Sequence, residues 1–238
     1  MKECDLMDTY SQVLQKTLIS REKDFLWAEI FEMGIDNVLE DESLKSIPII
    51  STMIALYNTY KSIKTRNLFD QTLAFLVAVD TNTIPKDKLD AHKKTLDENP
   101  KKAKKERFFV LLILDQNIEH IQSLIFGSFY RAYLNQDISW NDFCELAEAN
   151  RRLFVSDHNA FIEAIKNKGV YRNNCDKIYQ IHRLISIGLL ADRYHLTNEI
   201  ILSGGNASTE AIHEPDIIPT DFGKKFFEYL PDHITKTI

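Results

Sequence analysis

Apolar residues recur at helical spacing through the first half of the chain. Leu6, Tyr10, Val13, Leu14 and Leu18 predict a helix over 5–18, and Phe25, Leu26, Ile30 and Met33 another over 22–39. Ser46 is placed to cap a third, opened by Ile47 and Pro48. That helix presents Ile49, Ile50, Met53, Ile54, Tyr57 and Tyr60 on a broad face up to about Lys64. After a break near Thr65, residues 68–79 are apolar on every side around Leu73, Phe75 and Leu76, so something must cover them. A polar helix over 86–96 follows, and Asn99-Pro100 reads as the cap and first residue of the next. The apolar run from Phe108 to Leu114 is expected in the core, with an interruption at Asp115-Gln116-Asn117. Gly127 lies inside the helix that resumes, costs about 1 kcal/mol against alanine, and suggests a close helix crossing.

The character changes after Asp137. Ser139 with Asp142 resembles a capping box, and Ser156-Asp157 caps a further helix that stops at Gly169. A helix over 176–187 carries Ile178, Ile181, Leu184 and Ile185 in a stripe and ends at Gly188-Leu189-Leu190. Two strand-like runs, 195–202 and 211–218, flank a Gly204-Gly205 turn. Pro215 confines the second run to an edge or a bulge. Thr220 caps a last helix whose Phe222, Phe226, Phe227 and Leu230 return to the core. The pattern predicts a mainly α protein, with a helical bundle over 1–135 and a second unit over 139–231 that contains a small β-hairpin.

Composition narrows the function. The 238 residues are 44% hydrophobic and 27% charged with 7 Gly and 6 Pro, which excludes disordered and collagen-like classes. A net charge of −6 argues against a general nucleic-acid coat. Cys4, Cys144 and Cys175 lie far apart without metal-ligand spacing and read as reduced thiols. The first residues show no signal peptide, and the weakly polar run from Ile47 to Tyr60 is shorter than the roughly 20 residues that span a bilayer, so a cytoplasmic protein is expected. No nucleophile, metal or nucleotide motif occurs. The seven histidines are scattered, and Ser203-Gly204-Gly205-Asn206 lacks the context of a phosphate loop. The expectation is a protein without enzymatic activity, metal or cofactor.

One charge cluster stands out. Lys101, Lys102, Lys104, Lys105 and Arg107 fall in the opening turns of a helix, where its dipole disfavours cations. Either Asp90, Asp97 and Glu98 offset them, or the patch meets an anionic partner.

Two stretches carry a resemblance. Arg183-Leu184-Ile185-Ser186-Ile187-Gly188-Leu189-Leu190 resembles the third helix of winged-helix proteins with its "GLL" ending. Ile218-Pro219-Thr220-Asp221-Phe222-Gly223-Lys224-Lys225-Phe226-Phe227 resembles their return from the wing into a closing helix. Where such a helix enters the DNA major groove, the resemblance puts Lys177, Gln180 and Arg183 at the DNA. The departures are Asp176, Asp192, Glu199, Glu210, Glu214 and Asp216, which make the helix start and the wing acidic and shift the expectation toward protein contacts. The runs 47–52, 127–133 and 152–157 resemble uncharacterised bacterial proteins of mobile-element and antiphage gene sets. The function expected is therefore that of a binding or regulatory protein, bacterial, set in phage defence, acting through a protein partner or self-association, with DNA as a further candidate ligand. The competing reading is a membrane-associating effector that releases the hydrophobic hairpin of residues 47–79.

Overall fold

The computed structural model describes residues 3–20, 27–172, 176–193 and 215–236. It is mainly α-helical with one small two-stranded antiparallel sheet, as the pattern predicts. The chain divides into two compact units, Met1–Arg151 and Arg152–Ile238.

The first unit holds α1 (Glu3–Leu18), α2 (Trp27–Met33), α3 (Ile35–Glu40), α4 (Pro48–Tyr60), α5 (Ile63–Val79), α6 (Lys86–Glu98), α7 (Pro100–Gln116), α8 (His120–Leu134) and α9 (Trp140–Arg151). Its centre is α5, whose Leu73, Phe75 and Leu76 are buried as their all-round apolarity requires. Helix α8 crosses it at Gly127, where an added Cβ would lie 2.6 Å from the Phe75 carbonyl oxygen and 2.7 Å from Ala78 Cβ. The close crossing inferred from the sequence is therefore real.

The break between α7 and α8 is fixed by a buried amide–hydroxyl chain. Asn67 Nδ2 donates to the Asn117 carbonyl at 2.8 Å and Gln71 Nε2 to the Ile118 carbonyl at 2.9 Å. Ser123 Oγ donates to Gln71 Oε1 at 2.7 Å and accepts from Asn117 Nδ2 at 2.9 Å. These bonds satisfy groups that the interrupted helix leaves open.

Several boundaries differ from the sequence reading. Of the single helix expected over 22–39, residues 22–26 lie outside the described residues, and the rest is split at Gly34, whose φ of 76° lies in the left-handed region. Ile47, not Ser46, is the cap of α4, because Ser46 closes a short 3-10 turn. The break after α4 comes at Lys61, with Ser62 capping α5 by accepting from the Thr65 N–H. Helix α9, expected with the second unit, belongs to the first. Its Phe143 ring stacks on Phe126 at 5.4 Å and meets Tyr130 and Tyr133 at 5.5 and 5.7 Å. The run from Phe108 to Leu114 is only partly core, because a helical run of that length turns through every face. Val110, Ile113 and Leu114 are buried, while Phe108 and Leu112 point outward.

The second unit contains α10 (Val155–Lys166), α11 (Ile178–Ile187), β1 (Leu190–Asp192), β2 (Ile217–Pro219), α12 (Asp221–Glu228) and α13 (Asp232–Lys236). The two strands pair antiparallel with Leu190 opposite Pro219 and Asp192 opposite Ile217, and Val170 adds a bridge to Ile217. The expected strand 195–202 lies outside the described residues, as do residues 211–214 of the other. The described partner of β2 is instead Leu190–Asp192, immediately after the Gly188 stop.

Thr220 locks this return. Its Oγ1 accepts from the Gly223 N–H at 2.9 Å and donates to the Gly188 carbonyl at 2.6 Å. Gly223 sits so near that any Cβ would approach the Leu189 carbonyl oxygen to 2.1 Å. The two stretches that carry the winged-helix resemblance are thus in direct contact. Phe161, Ile181, Leu184, Leu189 and Phe226 form the core around them, with Phe226 edge-on to Phe161 at 5.6 Å.

Candidate interaction surfaces

In the second unit, the first turn of α10 and the outer face of α11 meet at a charged pair. Asp157 is fully buried, and Arg183 grips it with two hydrogen bonds, Nε to Oδ2 at 2.9 Å and Nη2 to Oδ1 at 2.5 Å. Asp157 Oδ2 also accepts the Phe154 N–H at 3.0 Å. The cap expected at Ser156-Asp157 therefore works backward: the helix starts at Val155, and Asp157 reaches to the residue before it. Two ionic hydrogen bonds in fork geometry hold the guanidinium plane in place.

That plane supports two aromatic rings. The Phe154 centroid lies 5.0 Å from Arg183 Cζ and that of Tyr179 lies 5.1 Å from it, within cation–π range. Phe154 is nonetheless 64% exposed and Tyr179 55% exposed, with Val155 beside them also open to solvent. Two exposed aromatic rings on a guanidinium anchored by a buried carboxylate make a surface that the sequence reading did not single out. Tyr179 and Arg183 are four residues apart on one helix, a spacing visible in the sequence. The approach of Phe154, the residue just before α10, is not.

The three residues expected at DNA separate. Lys177 is exposed, Gln180 is buried, and Arg183 is committed to Asp157. Lys177 and Gln180 line a cleft of about 740 Å³ between α10 and α11, together with Asn159, Glu163, Asn167 and Asp176. The helical period explains the correction: Gln180 precedes the buried Ile181 and sits at the edge of the inward stripe. The outward positions are Tyr179, His182 and Ser186.

His158, next to Asp157, is buried, with Nδ1 3.1 Å from the Phe154 carbonyl oxygen. Burial pulls its pKa down to about 4, while the Phe154 contact and the Asp157 charge act the other way. The unfolded chain takes up this proton near pH 6.5 and the folded unit only near 4, so acid favours unfolding. We expect the second unit to lose about 3 kcal/mol of stability from this group as pH falls across that window. Thermal melts of the wild type and His158→Gln between pH 7 and 4 check it: the variant should lose this part of the pH slope.

In the first unit the basic cluster also divides. Lys101, Lys104 and Lys105 are exposed, Lys102 is half-buried, and Arg107 turns toward α1, where Nη1 donates to Gln15 Oε1 at 2.8 Å. The Asn99 cap is as expected, accepting the Lys102 N–H at 3.1 Å. Glu106, inside the same run, is buried. It accepts from Tyr130 Oη at 2.7 Å and from Tyr133 Oη at 3.3 Å, and its Oε1 is 2.9 Å from His92 Nε2. Burial and the Glu106 charge push both phenols up from their usual range. A cleft of about 420 Å³ borders this group, lined by His92, Lys102, Tyr133, Asp137 and Asp142.

The hydrophobic hairpin is closed. Ile49, Ile50, Met53, Phe75 and Leu76 are all buried within the first unit, and among the described residues no helix is long and apolar enough to cross a membrane. No family model, curated protein or solved structure matches this chain.

Proposed function

We propose that this protein works by binding another protein, a second copy of the chain included, through the aromatic face of its second unit, and that it is not an enzyme. The carrying observation is the Phe154–Arg183–Tyr179 stack held on buried Asp157. Interface hot spots are enriched in tyrosine and arginine, and aromatic contacts bind best where little side-chain freedom remains to be lost. Here tyrosine and arginine are both present, and Arg183 is held by Asp157 before any partner arrives. The order α11, β1, β2, α12, closed by Thr220 and Gly223 on Leu189, supports a winged-helix-like reading of the unit.

DNA is the weaker ligand on this surface. Phosphate affinity depends on clustered free cations, and only Lys177 of the three candidate residues is exposed and uncommitted to Asp157. A bacterial cytoplasm and a role in phage defence are the setting we attach to this reading, on the resemblance of runs 47–52, 127–133 and 152–157. The sealed hairpin weighs against the membrane reading, which would need a trigger to release residues 47–79.

The test is the double substitution Phe154→Ala/Tyr179→Ala in the native host. Both side chains are exposed, so the melting temperature should hardly move. Loss of two anchors should reduce the co-purified partner by about tenfold or more. An unchanged set of co-purified proteins would refute the assignment.

A further inference from the structure

We propose that the exposed stripe of α7 is a second docking surface, for a segment of a partner protein in which acidic residues are followed by apolar ones. Lys101, Lys104, Lys105, Phe108 and Leu112 recur at three- and four-residue spacing and so share one side of the helix. All five are exposed, Phe108 by 66% and Leu112 by 39%. The stripe is about 17 Å long, three turns of helix. Its first half is cationic and its second half apolar.

No described carboxylate pairs with the cationic half at salt-bridge distance. Among the described residues none of the three lysines takes part in an ion pair, and Glu98, one of the acidic neighbours expected to offset them, is 3.8 Å from Lys94 instead. The helix dipole adds positive potential at this end. The molecule therefore presents three lysines outside any described ion pair directly beside an uncovered phenylalanine, and a ligand that meets both must bring carboxylates and apolar side chains in that order.

This lengthwise arrangement selects the occupant. A helix that lies in a bilayer carries its apolar side chains along its whole length with cations flanking them. On α7 the continuous apolar face (Val110, Ile113, Leu114) is buried in the unit, and the outer stripe changes character halfway. Nucleic acid would satisfy the lysines but would leave Phe108 and Leu112 against a wet phosphate backbone. An acidic–apolar peptide segment meets both halves. This surface is separate from the Phe154–Tyr179 stack, and the proposal does not depend on it.

Fluorescence anisotropy on the full chain tests this with a labelled peptide about three helical turns long, glutamates in its first half and leucine and phenylalanine in its second. We expect it to bind about tenfold or more tightly than a scrambled peptide of the same composition or the acidic half alone. The triple variant Lys101→Glu/Lys104→Glu/Lys105→Glu should abolish binding, and Phe108→Ser should weaken it about fivefold. Phe154→Ala/Tyr179→Ala should leave it unchanged, which separates this proposal from the one above. Melting curves confirm that the surface variants fold. Absence of binding, equal binding of the scrambled peptide, or phosphatidylserine vesicles or a DNA duplex bound with the same dependence on the lysines and Phe108 would each overturn the proposal.

Discussion

Replacing Gly127 by valine is expected to cost the first unit about 3 kcal/mol or more. The intrinsic preference runs the other way, since alanine improves on glycine inside a helix by about 1 kcal/mol and valine by somewhat less. Packing decides the sign. An added Cβ would stand 2.6 Å from the Phe75 carbonyl oxygen, which is backbone and cannot rotate aside, and 2.7 Å from Ala78 Cβ. Helices α5 and α8 would have to separate at the centre of the core, where Phe75 stacks on Phe126 at 5.1 Å. Alanine should show the same sign with a smaller loss, about 2 kcal/mol. Adding Ala78→Gly to Gly127→Ala should recover part of that loss, because it removes one of the two obstacles and leaves the carbonyl. Chemical denaturation of the four proteins measures this directly, and a stabilised Gly127→Ala would show that the crossing is looser than described.

Removing the Glu106 carboxylate is the second. Glu106→Leu keeps the volume but strips the acceptor from Tyr130, Tyr133 and His92, all buried. A buried donor left without a partner costs about 1–3 kcal/mol, so a total loss of about 4 kcal/mol is expected. Glu106→Gln retains one acceptor oxygen and should lose less than half as much. Equal losses for the two variants would mean that volume, not hydrogen bonding, holds the site. The contrast with the lysines around it is informative, because removing Lys104, exposed and without an ion pair, should change stability by only a few tenths of a kcal/mol.

These two residues also mark the limits of what the chain reveals on inspection. Gly127 was legible: a glycine inside a strongly apolar helix has few explanations other than a close crossing. Glu106 was not, since it lies among lysines and reads as part of a solvated run. Its register was available nonetheless, because Ala103, Glu106, Val110 and Ile113 share the inward face of α7. The same period, applied residue by residue, would have placed Phe108 and Leu112 outside and Gln180 inside. The apolar run was read as a block, which fits a strand buried on both faces better than a helix.

The second unit shows a different limit. Helix caps and stops were read from local chemistry, and Asn99, Ser139, Thr220 and Gly188 sit where that chemistry puts them. The placement of β1 and the Asp157–Arg183 pair depends on residues 25 apart or more meeting in space, and no local pattern encodes such a meeting. Arg183, which the winged-helix resemblance puts at DNA, is bonded to Asp157 of its own unit. Its positive charge suggested phosphate, whereas a buried carboxylate of its own unit holds it, and the aromatic rings around it change what the surface can bind.

Site-specific photocrosslinking at that surface tests the central claim most directly. A benzoylphenylalanine placed at Phe154 in the native host preserves an aromatic ring at the site, and the same probe at the exposed Lys166 of α10 samples another position on the same unit. Binding through the aromatic face predicts a discrete crosslinked protein from position 154, absent from 166 and reduced by Tyr179→Ala. No adduct at 154, or the same adducts from both positions, would contradict it.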